Sequence, residues 1–402
     1  MTHSHAGSWP EAPERLSLPP LVQGGAAAMA LVGLATLAWA FGRGDAQIAW
    51  SAYLIGAFFT IGLGVFGVAW LAILYLAGAT WSVTMRRIPE AMTAWLVPGS
   101  VLVMALLAGA PTLYQWTNPA PGDELLAHKA PFLNMTMFTV LVGASLAVWI
   151  LFALVVVGAS RRQDRDGGMA AVRVTRSMSA LFLVVFAITL SIVSFYLLLS
   201  LDVRWFSTMF AVLVFTDIIQ TGTAFVAIAA GMAMLTGGLK GFLREDHLHS
   251  LGKMVFASTG FWAYIYFCQF MLIWYANIPE ETAYFLRRSD NGWMPYLLLL
   301  PVLKFVVPFL LLIPRAAKRK AASLINISVL IVLAQFWELY LMVGPALGHG
   351  EQAAQAHLPI VEFLSTLGFI GLFVVVFGWA LGRHGAVPLK DPQLQACLEY
   401  HS

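Results

Sequence analysis

Charge is scarce in this 402-residue chain. Asp, Glu, Lys and Arg make up 11% of it and hydrophobic residues 60%, whereas an average soluble domain is about a quarter charged. The mean hydropathy is +0.79. Such a chain has too little polar surface for a water-soluble globule. It suits a bilayer, where an apolar helix of about 20 residues satisfies its own backbone hydrogen bonds while crossing roughly 30 Å of hydrocarbon. Cysteine is nearly missing as well: Cys268 lies in an apolar run and Cys397 in the tail, which excludes a disulfide framework and a metal-binding pair. No Walker or Gly-rich dinucleotide motif occurs in a suitable setting, so nucleotide-driven transport has no support. The polar, proline-bearing first twenty residues lack the apolar core of a cleaved signal peptide.

Ten apolar runs of spanning length remain, near 21–41, 50–79, 92–110, 131–159, 178–201, 208–236, 251–276, 293–313, 321–343 and 358–382. They predict an all-α polytopic membrane protein of about ten transmembrane helices, with a short N-terminal segment at 1–20, a transmembrane domain at 21–382 and a tail at 383–402. Cytoplasmic loops retain Lys and Arg in excess. The N-terminal segment, the even-numbered connections and the tail hold seventeen of the 23, among them Arg86, Arg87, Arg161, Arg244, Lys318 and Arg383. The other face holds only Arg43, Lys129, Arg204, Arg287 and Arg288, and Lys304 lies inside a span. Both termini are therefore expected in the cytoplasm. The net charge of +3 reflects that bias and implies no nucleic-acid partner.

The longest connections, near 111–130, 160–177 and 277–292, are too short to bury a core of their own. Trp116, Trp205, Trp274, Tyr275 and Trp293 edge the outer loops and read as an aromatic belt. Gly56, Gly64 and Gly67 in the second span, and Gly222, Ala227, Ala230 and Gly231 in the sixth, mark close helix approach.

An ionisable group at membrane depth costs a few kcal/mol, so each is a functional candidate. Spans two to five, as bounded above, contain no carboxylate, Lys, Arg or His, whereas spans six to nine contain Asp217, Lys304 and Glu338 with the amides Gln220, Gln269 and Gln335. Asp217 and Gln220 share one helical face, as do Gln335 and Glu338. Pro308 cannot donate to the carbonyl of Lys304, which leaves a polar acceptor beside the ammonium, where water or a partner carboxylate is expected. Three readings stay open: Lys304 locks the bundle by pairing with Asp217 or Glu338, the cluster conducts protons with water held among the amides, or Lys304 snorkels towards lipid.

Buried haem needs axial ligands at membrane depth, usually His. All nine histidines, His3, His5, His128, His247, His249, His349, His357, His384 and His401, fall in termini or connections, so no haem is expected in this chain. His247 and His249 beside Glu245 and Asp246 make a weak metal pattern, and a solvated turn is the expectation there. No metal or other bound cofactor is expected.

Several strings together resemble the NrfD/PsrC-like membrane subunits of bacterial redox complexes, in particular the ActF-type subunits of alternative complex III. They are Trp50-Ser-Ala-Tyr-Leu-Ile-Gly, Arg86-Arg87-Ile-Pro-Glu90, His128-Lys-Ala-Pro-Phe-Leu-Asn134, Asp202-Val-Arg-Trp-Phe-Ser-Thr208, His247-Leu-His-Ser-Leu-Gly-Lys253, Leu272-Ile-Trp-Tyr-Ala-Asn-Ile-Pro-Glu-Glu-Thr282, Lys304-Phe-Val-Val-Pro308 and Trp337-Glu-Leu-Tyr340. The Leu272 string is the most specific of them, and the resemblance runs from about 48 to 382. It implies two four-helix bundles, spans two to five and six to nine, flanked by the first and tenth. It also implies an inner-membrane complex that oxidises quinol, with an ActC-like quinol-binding membrane subunit and periplasmic iron–sulfur and multihaem cytochrome c subunits as partners.

Quinol oxidation needs a proton acceptor near the outer end of a bundle. Spans two to five offer none, and Pro111-Thr-Leu-Tyr-Gln-Trp116 lacks the histidine the resemblance leads one to expect. The chain is therefore expected to be a non-catalytic subunit, supporting assembly and passing protons through Asp217, Gln220, Gln269, Lys304, Gln335 and Glu338. Partner contact is expected at His128, Asn134, Asp202, Trp205, Trp274, Glu280 and Glu281. An ion-coupled secondary transporter using Asp217, Lys304 and Glu338 is the alternative. A lipid-modifying enzyme has no catalytic motif behind it.

Overall fold

The computed structural model describes residues 15–348 and 354–402. Among them every regular element is helical. Nine helices are long and apolar enough to cross a membrane: Pro20–Gly42, Ala46–Ala77, Met135–Asp166, Met169–Leu201, Met209–Leu235, Glu245–Ala276, Met294–Leu312, Ala321–Leu347 and Ile360–Leu381. A tenth, Arg87–Met104 plus Leu106–Leu113, is bent by 45°. In chain order they are spans one to ten, with the bent pair as span three. A multi-pass helical membrane protein follows, because each apolar segment can enter hydrocarbon only with its backbone bonds closed internally.

Hydropathy located the spans but not all the helix ends. The stretch 160–177, expected as a connection, continues spans four and five to within a tight turn at Gly167, whose φ of 65° closes the first of the two helices. Its Arg residues lower the hydropathy while remaining good helix formers, so the helices outrun the apolar runs. The stretch 277–292 likewise carries the short helix Pro279–Ser289. It follows span seven through Asn277 in the left-handed conformation, φ 49°, which Asn tolerates better than most residues.

Span two is the central helix. Its apolar window is 94% buried, and it packs against spans three, four and five on one side and six, nine and ten on another. Spans six to nine pack on one another. Span one docks on span ten, and both reach span two. In a bilayer these contacts gain nothing from leaving water, so van der Waals fit decides them. A Cβ on Gly368 would lie 2.5 Å from the Gly33 Cα, and one on Gly222 would lie 2.1 Å from the Phe66 ring. Gly56, Gly67 and Gly231 also leave no room for a Cβ, which would lie 2.3, 2.6 and 2.8 Å from Phe369, Pro89 and Ile325.

Two surface expectations change. Trp116, Trp205 and Trp293 do not form a belt: they are buried, and their indole N–H groups donate to Ser200 Oγ, the Glu281 carbonyl and the Ala354 carbonyl. Segments folded over the helix ends supply these acceptors, while Trp274 and Tyr275 are exposed at 67% and 83%. The His247 turn is not solvated either. His247 is fully buried; its Nδ1 accepts from the Arg244 N–H, and Nε2 bonds the Cys397 carbonyl in the tail.

Candidate functional site

Span eight is not a continuous α-helix. Between Pro301 and Pro308 it widens into a π-helical turn, Val302–Val306, with Lys304 at its centre. Such turns arise where the i to i−4 ladder is interrupted, and Pro308 has no N–H to give the Lys304 carbonyl. The Gln220 side-chain amide of span six donates to that carbonyl at 2.9 Å, where water or a carboxylate had been considered.

The Lys304 side chain is fully buried. Its ammonium donates to Asp217 Oδ1 and Gln335 Oε1, both at 2.6 Å, and to Glu338 Oε2, using all three of its protons. It also sits 4.9 Å from the centre of the Trp262 ring. Trp262 Nε1 donates to Glu338 Oε1 at 3.1 Å, and Thr221 Oγ1 to Gln335 Oε1 at 3.0 Å. Spans six, seven, eight and nine therefore meet at one ammonium. Asp217 is 3% and Glu338 1% exposed, yet Asp217 Oδ2 has no hydrogen-bond partner. With both carboxylates ionised the group carries one excess negative charge, and one added proton would cancel it.

The Lys/Arg-rich ends of the spans define one face of the molecule. The cluster lies nearer the other face: Asp217 is about 12 Å along span six from that side, at 1.5 Å per residue. Hydroxyls and amides lead from it towards the Lys/Arg-rich face, with Gln220 Nε2 on Thr259 Oγ1 at 3.2 Å and Thr223 beside Ser258 at 3.1 Å. Towards the other face, a cavity of about 30 Å³ joins Glu338 to Gln269, Tyr266, Tyr284 and Arg288. A second, of about 20 Å³, lies between Asp217, Thr221, Gln335 and span two. Each has room for a water molecule or two.

Five of the six predicted path residues thus form one bonded group, Asp217, Gln220, Lys304, Gln335 and Glu338, while Gln269 lines the adjoining cavity. The two amides Gln220 and Gln335 bond directly to this group rather than through intervening water. The seven predicted contact residues divide. His128, Trp274 and Glu280 are exposed and Glu281 partly so. Asn134 Oδ1 caps span four by accepting from the Met137 N–H. Asp202 and Trp205 are buried: Asp202 pairs with Arg287 at 3.2 Å, and Trp205 stacks on Tyr284 with ring centres 3.9 Å apart.

Sequence reasoning missed a second buried charged group. Glu90, expected in the connection between the second and third apolar runs, lies in the first turn of span three, where it accepts from Arg87 at 2.5 Å and Ser160 at 2.5 Å. Arg87 also pairs with Asp164, and Arg86 with Asp391 of the tail. The helical extension of span four and the folded-back tail bury this group, and neither is visible in hydropathy. Glu362, in the first turn of span ten, was missed although it stands inside an apolar run. It is 2% exposed and meets His357 Nε2 at 3.0 Å. That bond, more than partial burial opposes it, raises the proton affinity of the His357 imidazole. His3, His5, His349 and most of the segment 1–20 lie outside the described residues. Among the described residues no three His, Cys, Asp or Glu side chains gather as a metal site would require.

No family model matches the chain, and no curated protein matches it.

Proposed function

We propose that the chain is a non-catalytic membrane subunit of a quinol:electron-acceptor oxidoreductase in a bacterial inner membrane, of the ActF type, and that protons cross it through the Lys304 cluster. The observation that carries the proton reading is the sharing of one fully buried ammonium by two buried carboxylates. A group with one charge in excess changes its net charge by taking or releasing one proton. Asp217, with an oxygen that has no donor, is the carboxyl that takes it. The hydroxyl string and the small cavity supply approaches from the two faces.

Membership of a redox complex rests on the strings quoted above. Quinol binding and oxidation are assigned to an ActC-like partner, and haem c and iron–sulfur clusters to periplasmic partners, because spans two to five offer no proton acceptor near their outer ends. N-in, C-in orientation rests on the Lys and Arg distribution.

The test is Asp217→Asn and, separately, Glu338→Gln in the intact complex, reconstituted in liposomes. Assembly and quinol oxidation should persist while protons moved per electron fall. Loss of assembly would make the cluster a structural lock. If assembly, turnover and proton yield are all unchanged in both variants, the path is wrong.

A second reading, an ion-coupled secondary transporter, draws support from the π-helical turn, since transporters place interrupted helices at their ion sites. Ion-driven substrate uptake by the chain alone in liposomes would favour it; inertness without partners favours the redox subunit.

A further inference from the structure

One further cavity has no part in the proton path. It is a groove of about 820 Å³ between spans three, four and ten, opening where their Lys/Arg-rich ends converge. Its walls are apolar and face outward: Val97, Leu154, Val375 and Trp379 are between 45% and 66% exposed. Its polar end holds Glu90, Arg161, Arg383 and His384.

The charges there do not balance within the chain. Arg86 is paired with Asp391, and Arg87 with Glu90 and Asp164. Among the described residues no carboxylate lies within ion-pair distance of Arg161 or Arg383. Arg161 Nε is enclosed and has no hydrogen-bond partner, an arrangement that costs free energy unless something accepts from it. Arg383 lies over the Trp379 ring at 4.2 Å, at the rim of the groove. Burial first, and then the positive charge of Arg161 and Arg87, lower the proton affinity of His384, which leaves a neutral imidazole able to donate one hydrogen bond.

We infer that this groove holds an anionic glycerophospholipid, its phosphate bound by Arg161 and Arg383 and its acyl chains lying along spans three, four and ten. Guanidinium groups bind phosphate oxygens through paired N–H donors, and basic pockets between spans at the Lys/Arg-rich side take anionic headgroups. The guanidinium groups stand near the Lys/Arg-rich ends of spans four and ten, with exposed apolar side chains beside them. A quinone fits the walls but brings no negative charge, and would leave both guanidinium groups unbalanced.

The experiment is native mass spectrometry of the full-length chain in detergent, with phosphatidylglycerol, phosphatidylcholine or a short-chain ubiquinone added. Wild type should keep one phosphatidylglycerol at least tenfold more readily than phosphatidylcholine. Arg161→Gln with Arg383→Gln should abolish that preference. Leu154→Trp, which fills the groove and leaves the charges alone, should lower occupancy of both lipids without moving the thermal midpoint. Equal retention of the two lipids overturns the proposal, as does a preference that survives in the double variant or displacement of phosphatidylglycerol by the quinone. A density map of the intact complex showing a partner side chain in the groove would overturn it too.

Discussion

Replacing Lys304 by Met removes the ammonium that Asp217, Gln335 and Glu338 share and leaves the volume nearly filled. Two carboxylates then face each other in a site with cavities of only about 20 and 30 Å³ beside it. Removing one partner of a buried ion pair costs about 3–5 kcal/mol, because the remaining charge stays uncompensated. Lys304→Met should therefore lower the unfolding free energy by about that amount. If charge is the cause, adding Asp217→Asn and Glu338→Gln should recover most of it. Trp262 would keep an acceptor at position 338, and the residual loss should be about 1–2 kcal/mol for the missing hydrogen bonds. Equilibrium unfolding in mixed SDS and non-ionic micelles, followed by circular dichroism, measures both variants. A single variant costing under about 1 kcal/mol, or a triple variant no more stable than the single, would refute the charge argument.

Gly368→Val puts a side chain into the Gly33 backbone, where the Cβ alone would sit 2.5 Å from the Gly33 Cα. Overpacking of this kind costs about 1–3 kcal/mol, and equilibrium unfolding in mixed micelles should register that loss. The bond to Glu362 raises the His357 proton affinity above the ordinary value near 6.5. Its stabilising effect is therefore full below about pH 6.5 and is lost as pH rises through the higher folded-state value. The thermal midpoint should show a small decline over that window, absent in His357→Gln. Under the redox-subunit reading, Glu280→Lys with Glu281→Lys should release periplasmic subunits while the membrane subunits stay together, as pull-down from detergent extracts would show; a complex that stays whole would argue against docking at that helix.

The positions of the spans and the identities of the charged candidates were legible in the chain. A bilayer constrains each helix separately: about 20 apolar residues suffice to mark it, and any ionisable residue within them stands out. That is why Asp217, Lys304 and Glu338 could be singled out before their geometry was known. Helix ends were less legible at 160–177 and 277–292, because hydropathy reports where the chain leaves hydrocarbon and says little about where its hydrogen-bond ladder stops.

Tertiary structure alone decided which of these groups meet. Asp217, Lys304 and Glu338 belong to three different helices, and their convergence on one ammonium depends on how spans six, eight and nine pack around the π-helical turn. The same holds for the paired Arg86 and Arg87, buried through span four and the tail, and for the unpaired Arg161 and Arg383 beside them. The sequence by itself determined membrane insertion, the number of spans and the list of charges that must find partners, since these follow from averages over one helix at a time. Partner choice is a contact between segments 31 to 305 residues apart in the chain, and no local average contains it.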